Sequence, residues 1–435
     1  MDTGPMAQDR RDTPTTAALG SGRRSRRAGV RRLRTVLLAT ALVLGATAPV
    51  QAVPALAPAT ARAAAPGAER NPHEPPYAGQ LTKDLLARMQ RLRIPGAVVS
   101  VTTPEAGTWT TALGTRDLTT GEPLRTGDHL RVGSITKTFT GTVVLQLVQE
   151  GRLSLDDPVA TYRQGVPNGE RITIRQLLQM TSGLYNYAED PGFNERIDRD
   201  PAGEWTPEEL LDVAFRHPVY FPPGTAFHYS NTNTVLLGLI AEQLTHRPLA
   251  ELFRHRIFRP VGLRETGYHP STAFPRPHPA GYQFLSNVDS LSAPVLTGRD
   301  AAWADWSAGD PYDVTNANLS WAGAAGAAVS TVDDLRRWAR ALATGTLLSP
   351  ELQRERLTFV PTSDRPGAPG YGLAVANLLG FIGHDGQIPG FTAFMGYDPA
   401  RRATLVVLAD LNQSPDGTAP ANELAKVVVA DLFAH

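Results

Sequence analysis

The stretch Arg131-Val-Gly-Ser134-Ile-Thr-Lys137-Thr-Phe139, continuing Thr-Gly-Thr-Val-Val-Leu-Gln-Leu-Val-Gln149, sets a serine and a lysine three residues apart at the head of an apolar repeat. Phe139, Val143, Val144, Leu147 and Val148 recur at helical spacing, which predicts a helix over 134–149 with Ser134 in its first turn. Residues i and i+3 of a helix share a face, so the Lys137 amine can approach the Ser134 hydroxyl. A first-turn serine also sits among unpaired backbone N–H groups at the positive end of the helix dipole, a setting that favours an oxyanion. Serine is a weak nucleophile until a neighbouring base takes its proton. Only three of the 42 basic residues are lysine, namely Lys83, Lys137 and Lys426. A buried lysine can be tuned to lose its proton, whereas arginine stays charged. Alone, the spacing reads first as a helix-capping serine beside a solvated lysine. The apolar helix around Lys137 speaks against that.

Downstream, Pro222-Pro-Gly224 forces a turn before Tyr229-Ser-Asn231. On an extended segment, residues i and i+2 point to one side, so Tyr229 and Asn231 can face one cleft. A tyrosine serves as a base only where positive charge stabilises its phenolate, and Lys137 would supply that charge. The segment reads equally as a Tyr–Asn pair capping the next helix. Further on, His384-Asp385-Gly386-Gln387 lies in a predicted strand, with Gly386 read as room for a substrate to approach the backbone. The N–H groups of Ser134 and Gln387 would together form a two-donor oxyanion hole. A Ser-His-Asp triad through His384 and Asp385 is the competing arrangement, but adjacent strand residues point to opposite faces, and no G-x-S-x-G elbow occurs. His217 with Asp212, and His228 with Asp385, are isolated pairs without metal-site spacing, so neither a metal nor a cofactor is expected.

Residues 23–34 carry a run of arginines, 36–48 are apolar, and small residues follow, the layout of a secretory signal over 1–52 with cleavage after Ala52 or Ala63. The apolar core is shorter than the ~20 residues of a comfortable membrane span, so no stable span is expected after cleavage. Arg26-Arg27 and Arg31-Arg32 leave the twin-arginine route open beside the general one. There is no cysteine for a disulfide or a lipid anchor, and the expected product is secreted and extracellular. The Ala/Pro-rich 53–77 reads as a disordered leader. Formal net charge is zero and the basic residues cluster in the leader, which argues against a nucleic-acid-binding face. The remaining 78–435 exceeds the ~250–300 residues at which single cores stop growing, so two lobes are expected. Helix-spaced segments at 80–93, 174–180, 207–215, 233–244, 249–258, 330–342 and 421–432 alternate with a hairpin at 96–102 and 109–114 and with strands at 371–376, 382–384, 391–397 and 403–408. The Pro-rich tract 271–316, with Trp303 and Trp306, is irregular. Strands at both ends imply one αβ lobe built from both termini, with a helical lobe of about 153–320 inserted.

Ser134-x-x-Lys137, Tyr229-x-Asn231 and His384-x-Gly386, in this order, resemble the serine β-lactamase and penicillin-binding family. Within it they are most similar to the branch of class C β-lactamases and secreted D-Ala-D-Ala carboxypeptidases, the peptidase S12-like serine hydrolases. The flanks Leu177-Leu-Gln-Met-Thr-Ser-Gly-Leu184 and Ile257-Phe-Arg-Pro-Val-Gly-Leu263 extend the likeness, which covers about 80–433. The resemblance implies an α+β fold, an αβα sandwich on a mainly antiparallel sheet with an inserted all-helical lobe. It implies that Ser134 attacks a carbonyl assisted by Lys137 and Tyr229, that Asn231 orients Lys137 and the substrate amide, and that Ser134 and Gln387 hold the oxyanion. Ser182 then belongs to a structural helix end. His384 leans toward a D-alanyl-D-alanine carboxypeptidase acting on a peptidoglycan-type peptide, with β-lactams as acylating inhibitors. Asp385 departs from the hydroxyl residue usual in the third motif, and 370–381 holds no arginine to pair with a substrate carboxylate. An esterase or another peptidase or amidase acting on a small ester or amide is therefore the alternative, and a catalytically silent cell-wall binding module is the non-enzymatic one.

Overall fold

The computed structural model describes residues 74–292, 309–365 and 367–433. The predicted signal segment, most of the leader, and Trp303 and Trp306 lie outside the described residues. The sheet is built from β1 (Gly96–Thr103), β2 (Gly107–Gly114), β3 (Val360–Pro361), β4 (Gly370–Tyr371), β5 (Ala376–Leu378), β6 (Phe381–Ile388), β7 (Phe391–Asp398) and β8 (Ala403–Ala409). They stand in the order β2-β1-β8-β7-β6-β5-β4-β3, each pair antiparallel, so the first hairpin is stitched to the last strand. Val98 lies opposite Leu408 and His384 opposite Met395.

Both faces of the central strands are covered, which is why their sequences read as apolar runs. Ala97, Val99, Val101, Leu405 and Val407 pack with α1 (Ala78–Leu92) and with a C-terminal helix, Pro420–Phe433. Val98, Val406 and Leu408 point the other way, toward two helices, α2 (Thr136–Gln149) and Val332–Thr344. This is the period-2 alternation of a strand applied to both sides of one sheet. The fold is α+β, as the motifs implied. One apolar cluster runs from Val98 and Leu408 through Phe139 to Ile240 and Phe253, so the helical insertion shares the core of the sheet's inner face.

α2 is buried all round, an arrangement that demands apolar residues or satisfied hydroxyls on every face. The Phe139 ring lies 5.1 Å from Trp338 and 5.2 Å from Phe258, centroid to centroid. The threonines are satisfied internally: Trp338 Nε1 donates to Thr138 Oγ1 at 2.8 Å, and Thr140 Oγ1 donates to the Ala324 carbonyl at 2.7 Å.

Several elements differ from their predicted form for local reasons. Ser134 precedes the α-helix, in a 3-10 turn, Gly133–Ile135. The strand at 371–376 splits into β4 and β5, because Ala374 adopts φ +54° and its N–H bonds Leu178. The strand at 382–384 extends to the whole of β6, held by seven register pairs with β7. The helix read over 330–342 begins at Val332, capped by Thr331, since Ser330 ends a short strand. Among the described residues no helix is long and apolar enough to cross a membrane.

Candidate active site

Gly133, at φ +51°, turns the chain so that Ser134 leads into α2. Thr136 locks the turn: its hydroxyl donates to the Gly133 carbonyl at 2.7 Å and accepts from Ala328 N–H at 3.0 Å. One turn on, Lys137 is 0 % exposed. Its Nζ stands 3.0 Å from Ser134 Oγ, 2.7 Å from Asn231 Oδ1 and 2.9 Å from the Ala325 carbonyl. Two of these three partners can only accept. A neutral amine has two hydrogens and one lone pair, so the hydrogens go to Asn231 and Ala325 and the lone pair is left for the Ser134 O–H. Burial draws the Lys137 amine down to about 7, against the Asp385 carboxylate, which holds it up.

Asn231 does not sit on an extended segment: it opens a helix, α3 (Asn231–Thr245), after the extended Ser230. Its backbone N–H donates to Asn186 Oδ1 at 3.1 Å, so a side chain from a distant loop fixes the start of that helix. The Tyr229 ring lies 4.8 Å from Lys137 Nζ. Its hydroxyl is buried next to that of Ser134, close enough to be steadied by it but not aligned in a hydrogen bond. Burial, then Tyr371, push this phenol well above its usual range, and Ser134 only partly offsets them. Tyr229 is therefore protonated, and a phenolate base of the kind the sequence allowed is not available. Of the two, the Lys137 amine is the group with a lone pair turned to the Ser134 hydroxyl.

On β6 the four predicted residues separate. His384 is 2 % exposed and does not line the cavity in front of Ser134. Its Nδ1–H donates to the Asp385 carbonyl at 2.6 Å, leaving Nε2 to accept from the Tyr371 hydroxyl at 3.0 Å. Both ring nitrogens are thus taken up away from Ser134, which removes the triad. His384 supports the strand, where direct substrate contact was expected. Asp385 does face the cavity, as do Gly386 and Gln387. A Cβ on Gly386 would come within 2.0 Å of the Val132 carbonyl and 3.1 Å of Ser134 N. The glycine therefore makes room for the nucleophile's own backbone, a correction to its reading as room for substrate. Likewise a Cβ on Gly133 would meet Gln387 N at 2.8 Å. This close approach sets the Gln387 backbone against the turn that carries Ser134, and both residues line the cavity.

The cavity is about 550 Å³. Phe193, Ile197 and Trp321 give it an apolar wall, and Asn186, Asn194 and Asn412 add polar positions. Asp385 is the one charged side chain lining it among the described residues. Sequence reasoning missed the Ala325 carbonyl, Asn186 and the aromatic wall. Ala325 lies in the short helix Gly323–Gly326, whose Gly-Ala-Ala-Gly composition carries no chemical signal. Ser182 is buried, its hydroxyl donating to Asn233 Oδ1 at 2.7 Å, away from this cavity. Among the described residues no group of three or more His, Asp or Glu side chains could hold a metal ion.

The chain matches the family model described as Beta-lactamase over residues 81–430 and belongs to that family. It is 33 % identical to a D-stereospecific amidohydrolase from Streptomyces sp., with a TM-score of 0.68 over 81 % of this chain and 99 % of that one. It is 26 % identical to a D-amino acid amidase from Ochrobactrum anthropi SV3, again with a TM-score of 0.68 and coverages of 81 % and 99 %. It is also 26 % identical over 349 residues to Protein flp of Staphylococcus aureus (strain N315), spanning 77 % of this chain and 63 % of that protein. Over 284 residues it is 25 % identical to the Putative penicillin-binding protein PbpX of Bacillus subtilis (strain 168), with coverages of 65 % and 62 %. The chain thus spans less than two thirds of the length of these two relatives. The family is one of serine hydrolases.

Proposed function

We propose that this chain is a serine amidase working through an acyl-enzyme on Ser134. The observation that carries the reading is the Lys137 amine, with two obligate acceptors for its hydrogens and a lone pair left for the Ser134 hydroxyl. Ser134 Oγ attacks the amide carbon as its proton passes to Lys137 Nζ. The oxyanion forms against the N–H groups of Ser134 and Gln387. The C–N bond breaks as the proton travels by way of Tyr229 Oη to the leaving nitrogen. Water, activated by the same amine, then attacks the ester and frees the acid. The overall change is amide plus water to acid plus amine.

A D-Ala-D-Ala carboxypeptidase is the second reading, favoured by the His384-x-Gly386 motif and by the name of PbpX. It needs a cation for the free carboxylate of the peptide, and the cavity presents the Asp385 carboxylate instead. Incubation with a fluorophosphonate or a fluorescent penicillin, followed by intact mass, tests the shared chemistry. One adduct is expected, mapping to Ser134 and absent in Ser134→Ala; no adduct with either reagent would favour a silent binding module. Ammonia release from amino-acid amides is expected to outpace D-Ala release from a D-Ala-D-Ala peptide, and the opposite order would restore the carboxypeptidase.

A further inference from the structure

Asp385 is an odd residue to find beside a nucleophile. Its side chain is 39 % exposed, and it faces the cavity that holds Ser134, Tyr229 and Asn231. Asn422, in the first turn of the helix Pro420–Phe433, donates its Nδ2 to Asp385 Oδ2 at 2.7 Å. The other oxygen lies 3.5 Å from His384 Nδ1, whose proton is committed to the Asp385 carbonyl. One carboxylate oxygen is thus steadied and the other is left without a full hydrogen bond. Burial opposes the charge on this carboxyl, but His384 and Asn422 outweigh it and hold the group below its usual value, so it is an anion at neutral pH.

Asn412 lines the same cavity, but its carbonyl oxygen lies behind the cavity surface. Asn412 is 7 % exposed, its Nδ2 donates to Gln283, and its Oδ1 is buried with no partner. A buried acceptor left unpaired costs free energy unless a ligand or water supplies a donor. An anion in a cavity whose described lining includes no cation calls for a group that donates hydrogens and carries positive charge. The apolar wall of Phe193, Ile197 and Trp321 sets an uncharged side chain beside it.

We propose that Asp385, steadied by Asn422, binds the α-ammonium group of the substrate, so that this chain cleaves amides of amino acids with a free amine and an apolar side chain. The inference rests on the serine amidase reading and names the substrate class for that site. Only one carbon separates an α-ammonium from the carbonyl that Ser134 attacks, which fits an anchor on the strand that also carries Gln387. The charge on Asp385 also reaches Lys137, where it favours the protonated amine. An ammonium bound at Asp385 cancels that charge, so substrate binding shifts Lys137 toward the neutral base that acylation needs.

The test compares D- and L-phenylalanine amide with 3-phenylpropanamide, which has the same skeleton without the amine. The readout is the ratio of kcat/KM for the amino amide to that for the amine-free amide, so a general loss of rate divides out. For at least one enantiomer the ratio should be about 30 or more in the wild type, as a charge-assisted contact provides. In Asp385→Asn, which keeps the shape and removes the charge, it should fall to within about threefold of unity. Asn422→Ala should lower it by several-fold. A wild-type ratio near one, or a ratio preserved in Asp385→Asn, overturns the proposal. Labelling of Ser134 by a fluorophosphonate with a ratio near one sinks the ammonium anchor alone. Absence of any label sinks the amidase reading, and the anchor with it.

Discussion

Among the single residues of the site, Lys137 must be neutral to take the serine proton. Ser134, Asn231 Oδ1 and the Ala325 carbonyl surround an amine whose burial brings it to about 7. The charged form cannot take the serine proton. kcat/KM should therefore rise with pH and level off above an apparent value near 7, falling about tenfold per unit on the acid side. Asp385 favours the charged amine, so Asp385→Asn should move this acid limb to lower pH. A limb that stays in place would show that the limb reports another group. Lys137→Arg keeps a cation of similar length but cannot shed its proton, and should cost about 10³-fold in kcat/KM at every pH that the fold survives. Ser134, Lys137, Tyr229 and Asn231 were legible because short motifs carry their chemistry. The Ala325 carbonyl was not, because it is a backbone group 188 residues away from Lys137, brought in only by packing against α2.

At the scale of elements, the site is a junction between the Val132–Ser134 backbone and β6. A strand at 382–384 was readable from the sequence, and so was the presence of a glycine at 386. What that glycine accommodates was not, because the Val132 carbonyl crosses β6 from 254 positions earlier in the chain. His384 shows the same limit: its motif position suggested the cavity, but Tyr371 on β4 and the Asp385 carbonyl bind its two nitrogens behind the strand. Gly386→Ala tests the junction. A Cβ 2.0 Å from a carbonyl oxygen forces β6 and the nucleophile turn apart, separating the Ser134 and Gln387 N–H groups. Losing one oxyanion donor costs about 10²–10³ in kcat, and a loss of that size is expected with KM little changed. Retained activity together with an unchanged melting temperature would mean that the two backbones are not in contact.

At the scale of the whole molecule, the sheet holds together N- and C-terminal strands through β1 and β8, and Asp410 sits at their seam. Its backbone N–H bonds the Gly96 carbonyl at 3.2 Å, its carbonyl accepts from Tyr282 N–H at 3.0 Å, and its side-chain Oδ1 accepts from Gly96 N–H at 2.7 Å. The α+β plan was legible from strands at both ends of the chain, but no motif marked this residue. It is wholly buried, and its Oδ2 has no hydrogen-bond partner. Burial raises this carboxyl well above its usual range, with the Gly96 N–H only partly offsetting it. Above about pH 4 the unfolded chain gives up this proton while the folded chain keeps it. The folded state then binds more protons, so this group makes stability fall as pH rises through that window. Asp410→Asn keeps the acceptor for Gly96 and removes the titration. The variant should melt above the wild type at pH 8, by about 2–4 °C for each kcal/mol relieved, and the gap should close toward pH 4. A gap that is constant across that range would mean that Asp410 is already ionised in the folded protein, and that the seam between β1 and β8 holds a charge.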